Sequence, residues 1–248
     1  MDDLLHIAAT ALTHRGGVRE SNEDSLVVAG WVSEPEMSAP RHSRHALTET
    51  LLFAVADGLG GHACGEIASR HTVKRLAAAK ASADPDCIAA LLGEANADLY
   101  AAMRRDRSLL GMGTTVAGLV LSAQHALWFN VGDSRIYRER GGRIEQLSID
   151  DVPPGPRSGI ITQTLGGGVS FVPVAPHIGV EHLSEPGSLL RARWLLCSDG
   201  LTDMLDDAEI ERALAGSDEE AVGTLFASAM GAGGHDNISI VLVSVSRD

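Results

Sequence analysis

The residues best able to do chemistry in this sequence are acidic, and they share one habit. Glu23 and Asp24 in RESNEDS, Asp57 in VADG, Asp133 in VGDSR, Asp199 in LLCSDG and Asp236 in GGHDN stand where a strand meets a turn, mostly beside Gly or Asn. Asp57, Asp133 and Asp199 follow apolar runs within one to three residues, and Asp236 precedes one. A single Asp-Gly step is ordinary turn chemistry; the repetition beside apolar strands is not. If these strand ends meet at one edge of a sheet stack, four or more carboxylates share a small volume and oppose one another's ionisation. A divalent cation relieves that repulsion. Carboxylates, a main-chain carbonyl and water suit Mg²⁺ or Mn²⁺, and no His-x-x-x-His or Cys-x-x-Cys pair points to zinc.

Two further residues accompany the carboxylates. In FAVADGLGGH (53–62) an apolar strand runs into Asp57, and Gly58, Gly60 and Gly61 let the chain approach a bound group closely. His62 closes the stretch. It can act as a general acid toward a leaving oxygen, orient a water or a neighbouring acid, or simply begin the next helix. Arg19 precedes the Glu23–Asp24 pair by four to five residues. Its guanidinium can hold a phosphate bidentately, although taken alone it reads as an exposed arginine with a surface partner.

These residues need strands and turns to bring them together. Short strands are expected at His6–His14, in the second half of VRESNEDSLVVAGW, and at 51–56. Residues 33–49 carry prolines and mixed charge without periodicity and read as a surface loop. Apolar spacing predicts a helix from Gly65 to Ala81, with Ile67, Ala68, His71, Val73 and Leu76 on one face. A second spans about Asp86 to Arg107, with Ile88, Leu91, Leu92, Ala95, Leu99 and Met103 aligned. TTVAGLVL, HALWFNV, SRIYRER and RIEQL, split by short turns, predict an antiparallel meander. Gly113-Thr114-Thr115 begins its first strand and is expected beneath the acidic cluster. Gly166-Gly167-Gly168 lacks the Lys-Ser/Thr of a phosphate loop and reads as a turn. SLLRARWLLCS is another strand, DDAEIERALAG and SDEEAVGTLFASAMGAG are helices, and Ser217 with Glu220 forms a capping box for the latter. NISIVLVSVS closes the chain as a strand. Strands in runs and helices in pairs define an α+β layered architecture.

The 248 residues, 44% hydrophobic, suffice for one well-buried core, and a net charge of −13 makes nucleic acid or an anionic membrane a poor partner. Three scattered cysteines, Cys64, Cys87 and Cys197, form neither a disulfide framework nor a zinc site. The N-terminus lacks a signal-peptide pattern and no run is long enough to span a membrane, so a cytoplasmic monomer is expected.

Seven ordered motifs carry a family resemblance: GGVRESNEDS (16–25), FAVADGLGGH (53–62), GMGTTVAGLVL (111–121), NVGDSRIYR (130–138), ITQTLGG (161–167), LLCSDGLTDML (195–205) and GHDNISIVLV (234–243). The sequence resembles the metal-dependent Ser/Thr protein phosphatases, the PPM family, of bacterial type. The resemblance implies one catalytic domain over 1–248, a four-layer α/β/β/α sandwich with two antiparallel sheets between helix pairs. It implies two Mn²⁺ or Mg²⁺ ions and a third, weaker one, with Asp57 bridging two ions and the Gly58 carbonyl binding one. Asp199 and Asp236 would ligate one ion, Asp24 and Glu23 would act near the other directly or through water, and Asp133 would belong to the third site. Arg19 becomes a phosphate clamp and His62 a candidate acid. Two ions about 3.5–4 Å apart would activate a water for in-line attack on phosphorus. The implied substrates are phosphoSer/phosphoThr proteins, opposing a bacterial Ser/Thr kinase.

The sequence departs from the family pattern in the flap. Only about ten residues, proline-rich, separate LSIDD from ITQTLGG, so the segment at about 150–161 is short; LSIDDV stands for the commoner Asp-His-Ser, and Gln163 for an arginine. A more open cleft with less peptide selectivity is expected. The competing reading is a catalytically idle pseudophosphatase that serves as a binding module, and the presence of Asp24, Asp57, Asp199 and Asp236 argues against it.

Overall fold

The computed structural model describes residues 5–59, 64–155, 159–183 and 192–247. The chain runs β1 (Leu5–His14), β2 (Ser25–Val28), β3 (Trp31–Val32), β4 (Arg41–Ala46), β5 (Leu51–Ala56), β6 (Gly58–Leu59), α1 (Gly65–Ala78) and α2 (Pro85–Arg105). It continues through β7 (Gly113–Thr114), β8 (Val116–Leu121), β9 (His125–Val131), β10 (Arg135–Arg140), β11 (Arg143–Gln146), β12 (Leu165–Gly166) and β13 (His177–His182). It ends with β14 (Ala192–Cys197), α3 (Asp199–Thr202), α4 (Asp207–Ala213), α5 (Asp218–Gly231) and β15 (Ile238–Arg247).

Two six-stranded antiparallel sheets form, in the orders β11-β10-β14-β15-β1-β4 and β13-β9-β8-β5-β2-β3, with a three-stranded sheet β12-β7-β6 whose β6 and β7 lie one residue beyond β5 and before β8. The period-two alternation of strand side chains explains how they stack. In β5, Leu51, Phe53 and Val55 join a core shared with Ile7, Ala9, Trp194, Leu196, Val241 and Val243 of the other sheet. The intervening Leu52, Ala54 and Ala56 turn to the opposite face, where Leu76 of α1 and Ile88, Leu92, Ala95 and Leu99 of α2 cover them. On the other sheet, Leu195, Cys197, Ile240 and Leu242 face Ile210 of α4 and Val222 and Leu225 of α5. Strands buried on both faces therefore read as continuous apolar runs, and the result is the expected α/β/β/α sandwich.

Three sequence readings are corrected and one strand is added. Residues 41–46 of the supposed loop form β4, which pairs with β1 from His6↔Ala46 to Ala11↔Arg41. Its residues alternate between exposed and half-buried, because an edge strand with one face in solvent needs no apolar periodicity. The predicted meander is divided: β8 pairs with β9 in one sheet and β10 with β11 in the other, so the chain crosses between sheets at Gly132-Asp133-Ser134. On α1, Ile67 and His71 face outward, with Ile67 41% exposed, while Ala68, Val73 and Leu76 are buried. β13, unread in the sequence, pairs with β9 from His177↔Asn130 to His182↔His125. The capping box Ser217–Glu220 is present as expected.

Candidate metal centre

The crossing turn, the ends of β5 and β14 and the start of β15 bring the acidic residues to one end of the sandwich. Asp57 ends β5. Its carbonyl accepts from Thr115 N at 2.9 Å and Thr114 Oγ1 at 2.8 Å, so the Gly-Thr-Thr segment holds its main chain from below, as the sequence predicts. Gly58 N donates to Glu23 O at 3.2 Å. Glycine is needed at Gly58, because a Cβ there would lie 2.2 Å from Gly65 O and 2.6 Å from Glu23 O. Asp24 precedes β2, is 2% exposed, and accepts from Ser198 Oγ at 2.8 Å. Asp199 opens α3 after β14. Asp236 precedes β15 and pairs with Arg19 at 2.6 Å. Asn237 fastens the N-terminal loop to this edge: its Oδ1 accepts from Glu23 N, and its Nδ2 donates to Arg15 O and Ser21 O.

These contacts, with Asp133 and Asp199 lining one cleft, bring the carboxylates together, and their electrostatics follow from that. Burial raises the Asp57 carboxyl well above the usual range, and the charges of Asp24, Asp199, Asp236 and Asp133 raise it further. Burial pushes Asp24 up to about 6, against hydrogen bonding by serines. Asp199 is pushed up to about 7 by burial and then by Asp133 and Asp236. Burial, followed by Asp150 and Asp203, lifts Asp133 to about 6. Glu23 is also raised, chiefly by burial. Asp57 is the common neighbour.

One oxygen each of Asp24, Asp133 and Asp199 is buried without a hydrogen-bond partner. Orphaned buried carboxylate oxygens are costly, and three around Asp57 are the arrangement that oxygen-seeking cations satisfy. Among the described residues, no three His, Cys, Asp or Glu side chains are gathered tightly enough to hold an ion by themselves. Main-chain oxygen and water would share the coordination, which is ordinary for Mg²⁺. The donor set is all oxygen, and it fits Mn²⁺ or Mg²⁺.

Asp24, Asp57, Gly58, Glu23, Asp133, Asp199, Asp236 and Arg19 are thus neighbours at one end of the fold, whereas His62 lies outside the described residues. Sequence reasoning missed Asp203 and Asp150. Asp203 stands four residues after Asp199, and both line a small cleft with Asp133 and Asp150. The i, i+4 spacing in SDGLTD was the available signal. Asp150, in the loop after β11, is gripped by Arg135 at the start of β10, with Nε and Nη2 contacts of 2.6–3.1 Å.

A four-layer sandwich with a carboxylate-lined end defines a class of metal-dependent hydrolases. The protein phosphatase 2C profile matches residues 41–222, and the chain belongs to that family. It is 31% identical over 95% of its length to the serine/threonine protein phosphatase PstP of Mycobacterium tuberculosis, of which it spans only 44%. It is 29% identical to the serine/threonine phosphatase stp of Listeria innocua, covering 93% of each chain. The catalytic domain of PstP, solved in complex with two manganese ions, superposes with a TM-score of 0.74 at 29% identity, covering 98% of this chain and 99% of that one.

Proposed function

We propose that this chain is a metal-dependent protein serine/threonine phosphatase that hydrolyses phosphoSer and phosphoThr in proteins. The observation that carries the reading is the set of three partnerless buried carboxylate oxygens around Asp57. In this reading residues 1–248 act as one catalytic domain. Asp57 and the Gly58 carbonyl would help to hold the pair of ions. Asp199 and Asp236 would hold one ion, Asp24 and Glu23 would support the other, and Asp133 would serve a third, weaker site. When bound, Mn²⁺ or Mg²⁺ supplies positive charge for the phosphoryl oxygens and brings the pKa of water toward neutrality.

The chain's own residues do the rest. Arg19, beside Asp236 at the rim, binds two phosphoryl oxygens and orients the ester. Thr114 and Thr115 keep Asp57 in place through its main chain. His62 delivers a proton to the departing serine or threonine oxygen. The partner enzyme is a Ser/Thr kinase, and the phosphatase acts as a monomer in the cytoplasm. No described helix is long and apolar enough to cross a membrane.

Phosphate release from matched phosphoThr, phosphoSer and phosphoTyr peptides, with Mn²⁺, Mg²⁺ or excess chelator, tests the proposal. Release from phosphoThr and phosphoSer peptides only with metal is expected. Full-rate hydrolysis in chelator, or none with metal, would defeat it. An idle binding module would bind phosphopeptides without turnover.

A further inference from the structure

The outward face of α1 has no part in the reading above. Glu66, Ile67, Arg70, His71 and Lys74 line a groove of about 330 Å³. Their spacing, i, i+1, i+4, i+5 and i+8, is one face of a helix. Across the groove lie Pro35 and Asp24, and Glu66 faces Glu23 electrostatically, so the N-terminal end of the groove opens on the carboxylate centre. Farther along the helix the sign changes. Arg70 is fixed by a 3.0 Å bond from Nη1 to Ser33 O, and neither Arg70 nor Lys74 has a carboxylate partner among the described residues. Next to them Arg75 is paired with both Glu94 and Asp98. His71 Nε2 lies 3.9 Å from Asp98 Oδ2. In a chain with 33 acidic residues, two uncompensated cations beside the 41%-exposed Ile67 and Pro35 complement an acidic, partly aliphatic ligand.

We infer that this groove receives the polypeptide flanking the phosphorylated residue and selects an anionic side chain there, an inference that rests on the phosphatase reading. Arg70 and Lys74 stand four and eight residues beyond Glu66, about 6 and 12 Å along the helix. An extended peptide advances about 3.4 Å per residue. The anionic side chain therefore falls about two to four positions beyond the residue that passes Glu66.

The test uses phosphoThr peptides of equal length carrying Glu, the non-hydrolysable phosphonate analogue of phosphoSer, or Ala at positions two to five on either side of the phosphoThr. Each peptide's kcat/KM is measured with Mn²⁺ for the wild type and for Lys74→Glu, and read as the acidic-to-Ala ratio within each protein. A ratio of roughly fivefold on one side is expected, carried mainly by KM, shrinking with added salt and falling to about one in Lys74→Glu. A common response of Glu and phosphonate peptides assigns the selection to charge; a response to the phosphonate alone assigns it to a second phosphate group. A ratio near one in the wild type, or a preference that survives Lys74→Glu, overturns the groove and leaves the phosphatase reading intact. Absence of hydrolysis of every peptide overturns both.

Discussion

At the residue scale, the centre is defined by charge that has no compensation within the chain. Asp24 and Asp133 are lifted from an ordinary 3.8 to about 6, and Asp199 to about 7. Moving one carboxyl that far costs on the order of 3 kcal/mol once it is ionised. Because the folded-state values lie above the unfolded ones, the stability they contribute is complete below about pH 4 and is lost as pH rises through about 6 to 7. In excess chelator, the melting temperature should therefore fall between pH 5 and pH 8. With Mn²⁺ the fall should shrink or reverse, because cations compete with protons for the same oxygens. Thermal melts across that range, with and without metal, check the sign. Asp57→Asn separates ligand from scaffold. Loss of a group that merely supports a metal ligand costs about 10–100-fold, so loss of Asp57 should cost about 100-fold or more in phosphopeptide turnover. The metal-free variant should melt no lower than the wild type at pH 8, since one repelling charge has gone. A variant with full turnover would remove Asp57 from the centre.

At the scale of elements, legibility followed burial geometry. The strands over residues 51–56 and 238–247 and the helix over 85–105 announce themselves because their partners bury them on a regular period. β4 was invisible, since an edge strand such as RHSRHA carries charge where an inner strand carries valine. The division of the predicted meander was equally hidden. A turn between strands gives no sign of whether they pair, and only the register shows that β9 and β10 belong to different sheets. The candidate acids were legible as Asp beside Gly at strand ends, but Asp150 was not, because it sits in the loop after β11 and its tie to Arg135 on β10 is a tertiary contact. Two substitutions probe how the elements hold the centre. Gly58→Ala pushes a Cβ into Gly65 O at 2.2 Å, a backbone contact that cannot yield cheaply. It should destabilise by about 1–3 kcal/mol and depress metal affinity together, readable by denaturant titration and calorimetry. Ser217→Ala removes the α5 cap far from the acids, where Ser217 accepts from Glu220 N. It should cost about 1 kcal/mol and leave Mn²⁺ affinity unchanged.

At the scale of the molecule, the net charge of −13 and the carboxylate-lined end make the metal-free protein self-repelling just where the proposed phosphate ester would enter. Two or three divalent cations add four to six positive charges and invert the local sign, so folding and substrate binding should respond to the same ligand. Binding to the folded state alone stabilises by about 2.7 kcal/mol per site at a hundredfold excess over Kd. A chain of 248 residues shifts its melting temperature by about 2–4 °C per kcal/mol, so saturation with Mn²⁺ should raise it by at least about 5 °C for one site and more for two. The rise should be largest near pH 8, where the carboxylates are most ionised, and it should fall steeply in Asp57→Asn and little in Ser217→Ala. A melting temperature indifferent to Mn²⁺ across this pH range would mean that the acidic end is satisfied in another way. The cation reading would then fail for the molecule as a whole, whatever the separate carboxylates do.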